Sequence, residues 1–499
     1  MFLARIIVAT VSLRKCRVAL RQKCRAAKTA NRQPSLVKVV TKTARIIGGY
    51  MRNRTTSSCV VAIAVLIIIL GVEWGFLIST LSSDNNTQSN SGQPSQMQGG
   101  SSSSASYSSA KEITSDEEIT SGEYSSSKAD ENAISASGNI KTTLSNIAVT
   151  KTGDSDGGDN TSFYGTNSAI IAKSGANLTI KNATITTDAN GANGVFSYGG
   201  SATTNNSSSD GTTVNISDST ITTKKNNAGG IMTTGGGTMN AENLTINTAG
   251  TSSAAIRSDR GGGTVTVNKG TYKTTGQGSP AIYSTADITV KNATLVAAAS
   301  EGVVIEGKNS VTLENVDLTD TNNTLNGQST TYKNIFLYQS MSGDAASGQA
   351  VFTSKNSTIT TNKGDSFYVT NTTAEINLEN NKIVNNDASS NFLRIQKDSW
   401  GKSGSNGGTV TLNLINQSAT GNIVVDSISS LTMSLKNGST FKGAINSANA
   451  GDISLTLDAS SKLTLTGDTY VKSLTNADSA DSNINFNGYK LYVNGTAIN

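Results

Sequence analysis

Apolar residues recur at fixed offsets through most of the C-terminal part of the chain. The frame is apolar–x–apolar–x–Asn–x–x–apolar. LTIKNATI fills it from Leu178, VNISDSTI from Val214, MNAENLTI from Met239 and VTVNKGTY from Val265. ITVKNATL follows from Ile288, VTLENVDL from Val311, FTSKNSTI from Phe352 and INLENNKI from Ile376. Successive starts lie 36, 25, 26, 23, 23, 41 and 24 residues apart. Self-similarity on the order of 20–50 residues marks a solenoid and outranks local secondary-structure signals. Positions 1 and 3 are two apart, so both point to one face of a short strand. Position 8 opens a second short strand after a bend. Such units are too short for amphipathic helices, and their Thr, Val, Ile and Asn suit strands and turns.

Position 5 holds Asn182, Asp218, Asn243, Lys269, Asn292, Asn315, Asn356 and Asn380. A bend between strands often needs positive φ, which Asn adopts at lower cost than most residues other than Gly. Stacking would bring these side chains about 4.8 Å apart. The Asn members then form a structural ladder of amides, each bonded to the next.

A third strand precedes each frame. It reads AIIAKSG from Ala169, GVFSYGG from Gly194, GIMTTGG from Gly230, AIRSDRG from Ala255 and AIYSTAD from Ala281. It continues as GVVIEGK from Gly302, NIFLYQS from Asn334, SFYVTNT from Ser366 and NFLRIQK from Asn391. Its second residue is always Ile, Val or Phe, ending with Phe367 and Phe392. The fourth is small or apolar except at Arg394. Both positions are expected to face inward. Three short strands per repeat predict an all-β chain, with each repeat one coil of a parallel β-helix.

On these repeats, above all ITVKNATL and GVVIEGKNSVTLENVDL, residues 139–499 resemble the right-handed parallel β-helix of the pectate-lyase-like superfamily. More narrowly they resemble exported bacterial carbohydrate-binding-domain or adhesin-like proteins. The resemblance, with the general rule for parallel crossovers, implies right-handedness. It implies a fold that hosts lyases, hydrolases and adhesins alike. Its lyases hold Ca²⁺ with Asp and use an Arg or Lys base, and its hydrolases use clustered Asp.

The flanks give a domain plan. Residues 1–57 carry 14 Lys and Arg and no acidic residue, and read as a basic cytoplasmic tail. Met51 opens an ordinary n-region, so residues before it are either a start-site artefact or a long tail. Residues 58–81 hold the apolar run CVVAIAVLIIILGV, then Glu73 and WGFLISTL. They are expected to form a transmembrane anchor or a signal segment. Residues 82–138, rich in Ser and Asn, are expected to be a disordered linker. Coils fill 139–395, beginning at IKTTLSNIAV with Leu144 in the ladder position. Residues 396–499, where the Asn register is lost, are expected to be irregular terminal coils and a cap.

Charge and composition narrow the chemistry. Of 40 Lys and Arg, 14 precede the apolar run, leaving 26 against 35 Asp and Glu beyond it. That acidic excess makes nucleic acid a poor partner for the repeats. The chain has no His, which removes the Ser–His–Asp triad and His-containing zinc sites. Cys16, Cys24 and Cys59 all fall in or before the apolar run, so the repeats have neither disulfide nor thiol nucleophile. No phosphate-binding loop, dinucleotide fingerprint or EF-hand is present, and no cofactor or metal is expected.

Two charged spots stand out: Arg257, Asp259 and Arg260, and Arg394, Lys397, Asp398 and Trp400. They are about five coils apart, roughly 24 Å at 4.8 Å per coil, so they do not form one active site. The third strand's outward row runs Ile171, Phe196, Met232, Arg257, Tyr283, Val304, Phe336, Tyr368, Leu393, with Tyr198 and Tyr338 beside it. Such a row is either an exposed binding face or the seat of loops folded over it. The candidate binding residues are Phe196, Tyr198, Arg257, Tyr283, Phe336, Tyr338, Tyr368, Arg394 and Trp400; none is assigned a catalytic role. The expected protein is a single-pass plasma-membrane protein with an extracellular β-helix, or a secreted one. Its expected work is non-enzymatic adhesion or carbohydrate binding, with a glycan or a host or neighbour cell-surface protein as partner. A polysaccharide lyase or glycoside hydrolase is the alternative.

Overall fold

Alternation decides the architecture coil by coil. The structure, a computed structural model, describes residues 105–155, 157–201, 208–325 and 329–499. The basic tail, the apolar run and most of the expected linker lie outside them. Among the described residues no helix is long and apolar enough to cross a membrane.

The described chain is a parallel β-helix. The third strands form one sheet of 12 strands, running in spatial order from Ser109–Ile113 to Ile423–Val425. The first and second strands of successive coils form a 22-stranded sheet. Pairing is parallel throughout, apart from one antiparallel pair between Leu491–Val493 and Thr496–Ala497. Each strand sends alternate residues into one continuous core. Leu178, Ile180 and Ile185 of one coil stack on Val214, Ile216 and Ile221 of the next. Ile282 is fully buried between Ile256 and Val303, as the inward register requires.

The ladder position explains how each coil turns. Asn182, Asn243, Asn292, Asn315, Asn356 and Asn380 all have φ between 50° and 53°. Asp218 and Lys269 adopt the same conformation at 49° and 59°. Side-chain bonds join several of the neighbouring rungs. Asn243 Nδ2 donates to Asp218 Oδ1 at 2.8 Å, Asn315 to Asn292 at 3.2 Å and Asn380 to Asn356 at 2.8 Å. Lys269 cannot continue the row and pairs with Glu242 at 2.9 Å instead. Asn292 then reaches Asn268, one residue earlier, at 2.7 Å.

Four expectations about register and boundaries are corrected. The coil beginning at Ile140, expected to be the first, does carry a ladder Asn: Thr142 pairs with Leu178, so the rung opposite Asn182 is Asn146, not Leu144. Asn146 has φ 51° and accepts from Asn182 Nδ2 at 3.3 Å. The third strand expected from Asn391 is displaced by one residue. Leu393 pairs with Phe367 and Arg394 with Tyr368, so Arg394 points outward and Ile395 takes the inward place. Phe392, one residue earlier and also apolar, competes with Leu393 for the inward place in the sequence pattern.

The linker expectation fails over 109–137, where four strands begin the stack. Ile113, Ile119 and Ile134 face the core there, and the Ser and Glu residues that suggested disorder lie between them. The regular coils also continue beyond 395. LNLINQSA from Leu412 refills the frame, and Asn416 and Asn437 keep positive φ at 48° and 58°.

The core predicts its own test. Ile282→Asp is expected to cost several kcal/mol by burying an unpaired carboxylate, and Ile282→Val about 1 kcal/mol. Urea unfolding of the two variants checks this; matching curves for wild type and the Asp variant would contradict the buried register.

Candidate functional site

The outward row of the third strands is where side chains leave the core, so its covering decides what is available for binding. Most of the row is covered. On the early coils the cover is a short helix, α1 (Asp159–Tyr164), with the strand-flanking residue Tyr107. Ile171, Phe196 and Met232 are completely buried beneath it. Tyr198 packs edge-on to Tyr164 with ring centroids 5.6 Å apart, and Tyr107 Oη donates to the Tyr164 carbonyl at 2.9 Å. Gly165 ends α1 at φ 70°, and a Cβ there would lie 2.6 Å from the Phe196 ring. Only glycine lets the chain pass so close.

On the later coils the cover comes from the insertion around Met341 and from the segment carrying Trp400. Val304, Phe336, Tyr338 and Tyr368 form a second buried cluster, with Tyr283 and Trp400 packed against it. Phe336 stacks on Tyr338 at 4.5 Å and meets Trp400 at 5.3 Å. Lys333 is fully buried, with its ammonium 4.4 Å from the Phe336 ring centre and 4.8 Å from that of Tyr368. Tyr368 Oη donates to Asp398 at 2.6 Å. The exposed-face expectation is therefore corrected for Phe196, Phe336, Tyr338 and Tyr368: their rings face away from the helix core but not into solvent. Tyr198 and Trp400 are half-buried parts of the two covers.

Between the two covers the row is open. Arg257 and Tyr283, paired across adjacent strands, lie in a cleft of about 320 Å³ with Phe163, Asp259, Pro280 and Asp344 also on its lining. Of the charged spots, the structure brings Arg257, Asp259 and Arg260 together here. Arg394 lies elsewhere, paired with Asp365 at 2.5 Å.

Each charge in the cleft has a partner. Arg257 Nη2 donates to Asp259 Oδ2 at 2.9 Å, and its Nη1 to the Ser252 carbonyl at 3.3 Å. The Arg260 amide donates to Asp259 Oδ1 at 3.0 Å. Its guanidinium bonds Asp344 Oδ1 at 2.7 Å and lies 4.0 Å from the Phe163 ring centre. Tyr283 is held from behind. Its hydroxyl and those of Tyr338 and Ser340 all donate to the buried Glu306 carboxylate. The ring is thus fixed in place before any ligand arrives.

Burial pushes the Asp259 carboxyl up to about 6, against the opposing pull of Arg257 and with help from Asp344. Burial, with Tyr338 and Glu306 adding to it, raises the Tyr283 hydroxyl well above its ordinary value. Tyr283 is therefore a neutral donor and ring surface at neutral pH. Among the described residues no group of three or more His, Cys, Asp or Glu is placed to hold a metal ion.

Asp344, Glu306 and Phe163 were not picked out from the sequence. Asp344 meets Arg260 across 84 residues, in an insertion with no repeat register. Glu306 had a signal: it is the acidic residue of GVVIEGK, in the row that holds Tyr198 and Tyr338.

Two outcomes are expected. Tyr368→Ala removes a ring buried under the later cover and should cost about 3 kcal/mol in urea unfolding; an unchanged midpoint would mean the cover is not packed. Asp259 sets a pH dependence. The stability tied to its protonated form is complete below pH 3.8 and is lost as pH rises through about 6. Wild type should therefore lose up to about 3 kcal/mol relative to Asp259→Asn between acid and neutral pH. A difference that stays flat across that window would mean Arg257 keeps the carboxylate ionised throughout.

No protein-family model, curated protein or solved structure matches the chain, so the geometry of the cleft carries the functional reading.

Proposed function

We propose that this chain is a bacterial cell-surface protein, a right-handed β-helix of the pectate-lyase-like kind, that binds carbohydrate without cleaving it. The observation that carries the reading is the cleft at Arg257 and Tyr283, the gap between the two covers. Its make-up suits a sugar. A fixed aromatic ring offers a surface to the C–H face of a pyranose. The Arg257–Asp259 pair and Asp344 offer donors and acceptors to hydroxyl groups. In this reading residues 58–81 anchor the protein in the plasma membrane and leave the coils outside the cell.

The raised Asp259 carboxyl, with a second carboxyl group, Asp344, on the same lining, favours a second reading as a glycoside hydrolase, since such enzymes work with a pair of carboxyl groups, one of them raised. Against it, each carboxylate already bonds a guanidinium, which holds it in place as a structural partner.

A glycan array probed with the purified full chain tests the proposal. Arg257→Ala should weaken the strongest signal about tenfold, or ~1.4 kcal/mol, when binding is measured well below the variant's own melting temperature, where it is fully folded. Equal binding by the variant would remove the cleft from the interaction. New reducing ends released from the same glycans would replace the binder with the hydrolase.

A further inference from the structure

The walls of the cleft limit how a saccharide can lie in it. Along the stack the cleft is two strands wide, from Arg257 to Tyr283, about 4.8 Å between neighbours. On the early-coil side the next outward residue is Met232, buried under α1. On the other side it is Val304, part of the later covered cluster. A chain lying along the stack would have to displace one cover or the other. The end where the strands finish is closed as well: Arg260 lies over Phe163 of α1 and bonds Asp344 of the later cover, so one guanidinium joins both walls. The remaining side is the turn that leads into the strands, lined by Ser252, Ala254, Gly278 and Pro280. A cavity of about 320 Å³ is at the lower end of the range of ligand sites, roughly 300–1,000 Å³.

The charges select as well. Arg257 and Arg260 are both spent on Asp259 and Asp344. Glu306 sits behind Tyr283 as a further carboxylate. An acid sugar would bring its negative charge toward these carboxylates and find both guanidinium groups engaged.

Building on the carbohydrate reading above, we infer that the cleft takes the end of a neutral glycan, one terminal residue inserted from the Ser252–Gly278 side, and not an internal stretch of a polymer. The ring of Tyr283 contacts that residue, and the rest of the glycan projects away from the protein.

Isothermal titration of the full chain tests this with malto- and cello-oligosaccharides from mono- to hexasaccharide. Cyclodextrins serve as malto-oligomers without ends, and oligogalacturonides as an acidic series. The expected result is a Kd set by the terminal residue, varying less than about threefold beyond the disaccharide. Cyclodextrins and oligogalacturonides should not compete. A Kd that tightens with each added residue, or a cyclodextrin that binds as well as its linear counterpart, would overturn end-on insertion while leaving carbohydrate binding in place. Preferential binding of oligogalacturonides would overturn neutral selectivity alone. Absence of binding in every series, together with a blank glycan array, would overturn the carbohydrate reading itself.

Discussion

The structure depends on one turn, repeated. From the coil of Asn146 to that of Asn437, the chain enters the left-handed region at the end of each first strand, bends, and starts its second strand. The amide of that residue donates to the coil above: Asn182 N to the Ser217 carbonyl, Asp218 N to Glu242, Asn315 N to Lys355. Coil spacing and coil closure are thus set at the same atom. The side chain matters less than the backbone conformation. Lys269 occupies the position at φ 59° and the stack continues without an amide rung. Asn recurs because it reaches that conformation cheaply, and the side-chain bonds between rungs add to a turn the backbone already fixes.

Most of the coil architecture was legible for that reason. Inward apolar positions recur at a spacing of two, and the turn residue is nearly always Asn, so register could be read through intervals as unequal as 23 and 41 residues. The register is ambiguous where one of those signals is duplicated or diluted. Phe392 beside Leu393 offered two apolar candidates for one inward place. Over 109–137 the inward residues are few and the surface is Ser and Glu, so composition suggested disorder while the neighbouring coil supplied the hydrogen bonds and apolar contact that order it. The cleft was half legible. Arg257 and Tyr283 were visible as members of one row. The walls were not, because α1 and the Asp344 insertion follow no period and come together only in three dimensions.

A second row shows what the corner after the second strand requires. Thr187, Thr223, Thr248, Thr274, Ala297, Asp320 and Thr361 stack in register and are buried. Thr248 and Thr274 each donate to a carbonyl five residues on, at 2.5 Å, and Thr223 does the same to Ala228. Each closes the corner by satisfying a carbonyl that the turn would otherwise leave buried. Lys151, one coil before Thr187, donates to the Gly153 carbonyl at 2.8 Å. Asn385, one coil after Thr361, reaches the Gly364 carbonyl at 3.0 Å. The series of donors is interrupted at Thr187, whose hydroxyl has no partner, at Ala297, which has no side-chain donor, and at Asp320, whose carboxylate when ionised has no proton to give. Burial raises its carboxyl well above the usual range, so the form that fits a row of donors is also the form that burial prefers.

The two covers and the cleft follow from the same economy. A parallel β-helix buries one face of every strand, and the repeat says nothing about the outer face. Where large apolar residues stand there, as at Phe196 and Phe336, extra chain must cover them, and α1 and the late insertion do so. Arg257 interrupts the apolar run of that row, and beneath it no apolar surface requires a cover. The opening is therefore placed by a change of residue type on an otherwise regular sheet. Its floor inherits the rigidity of the stack, and its two walls are ordered by packing on their own apolar clusters. The cleft's geometry is thus set before any ligand arrives, which is the condition under which a site of this size binds without spending affinity on ordering itself.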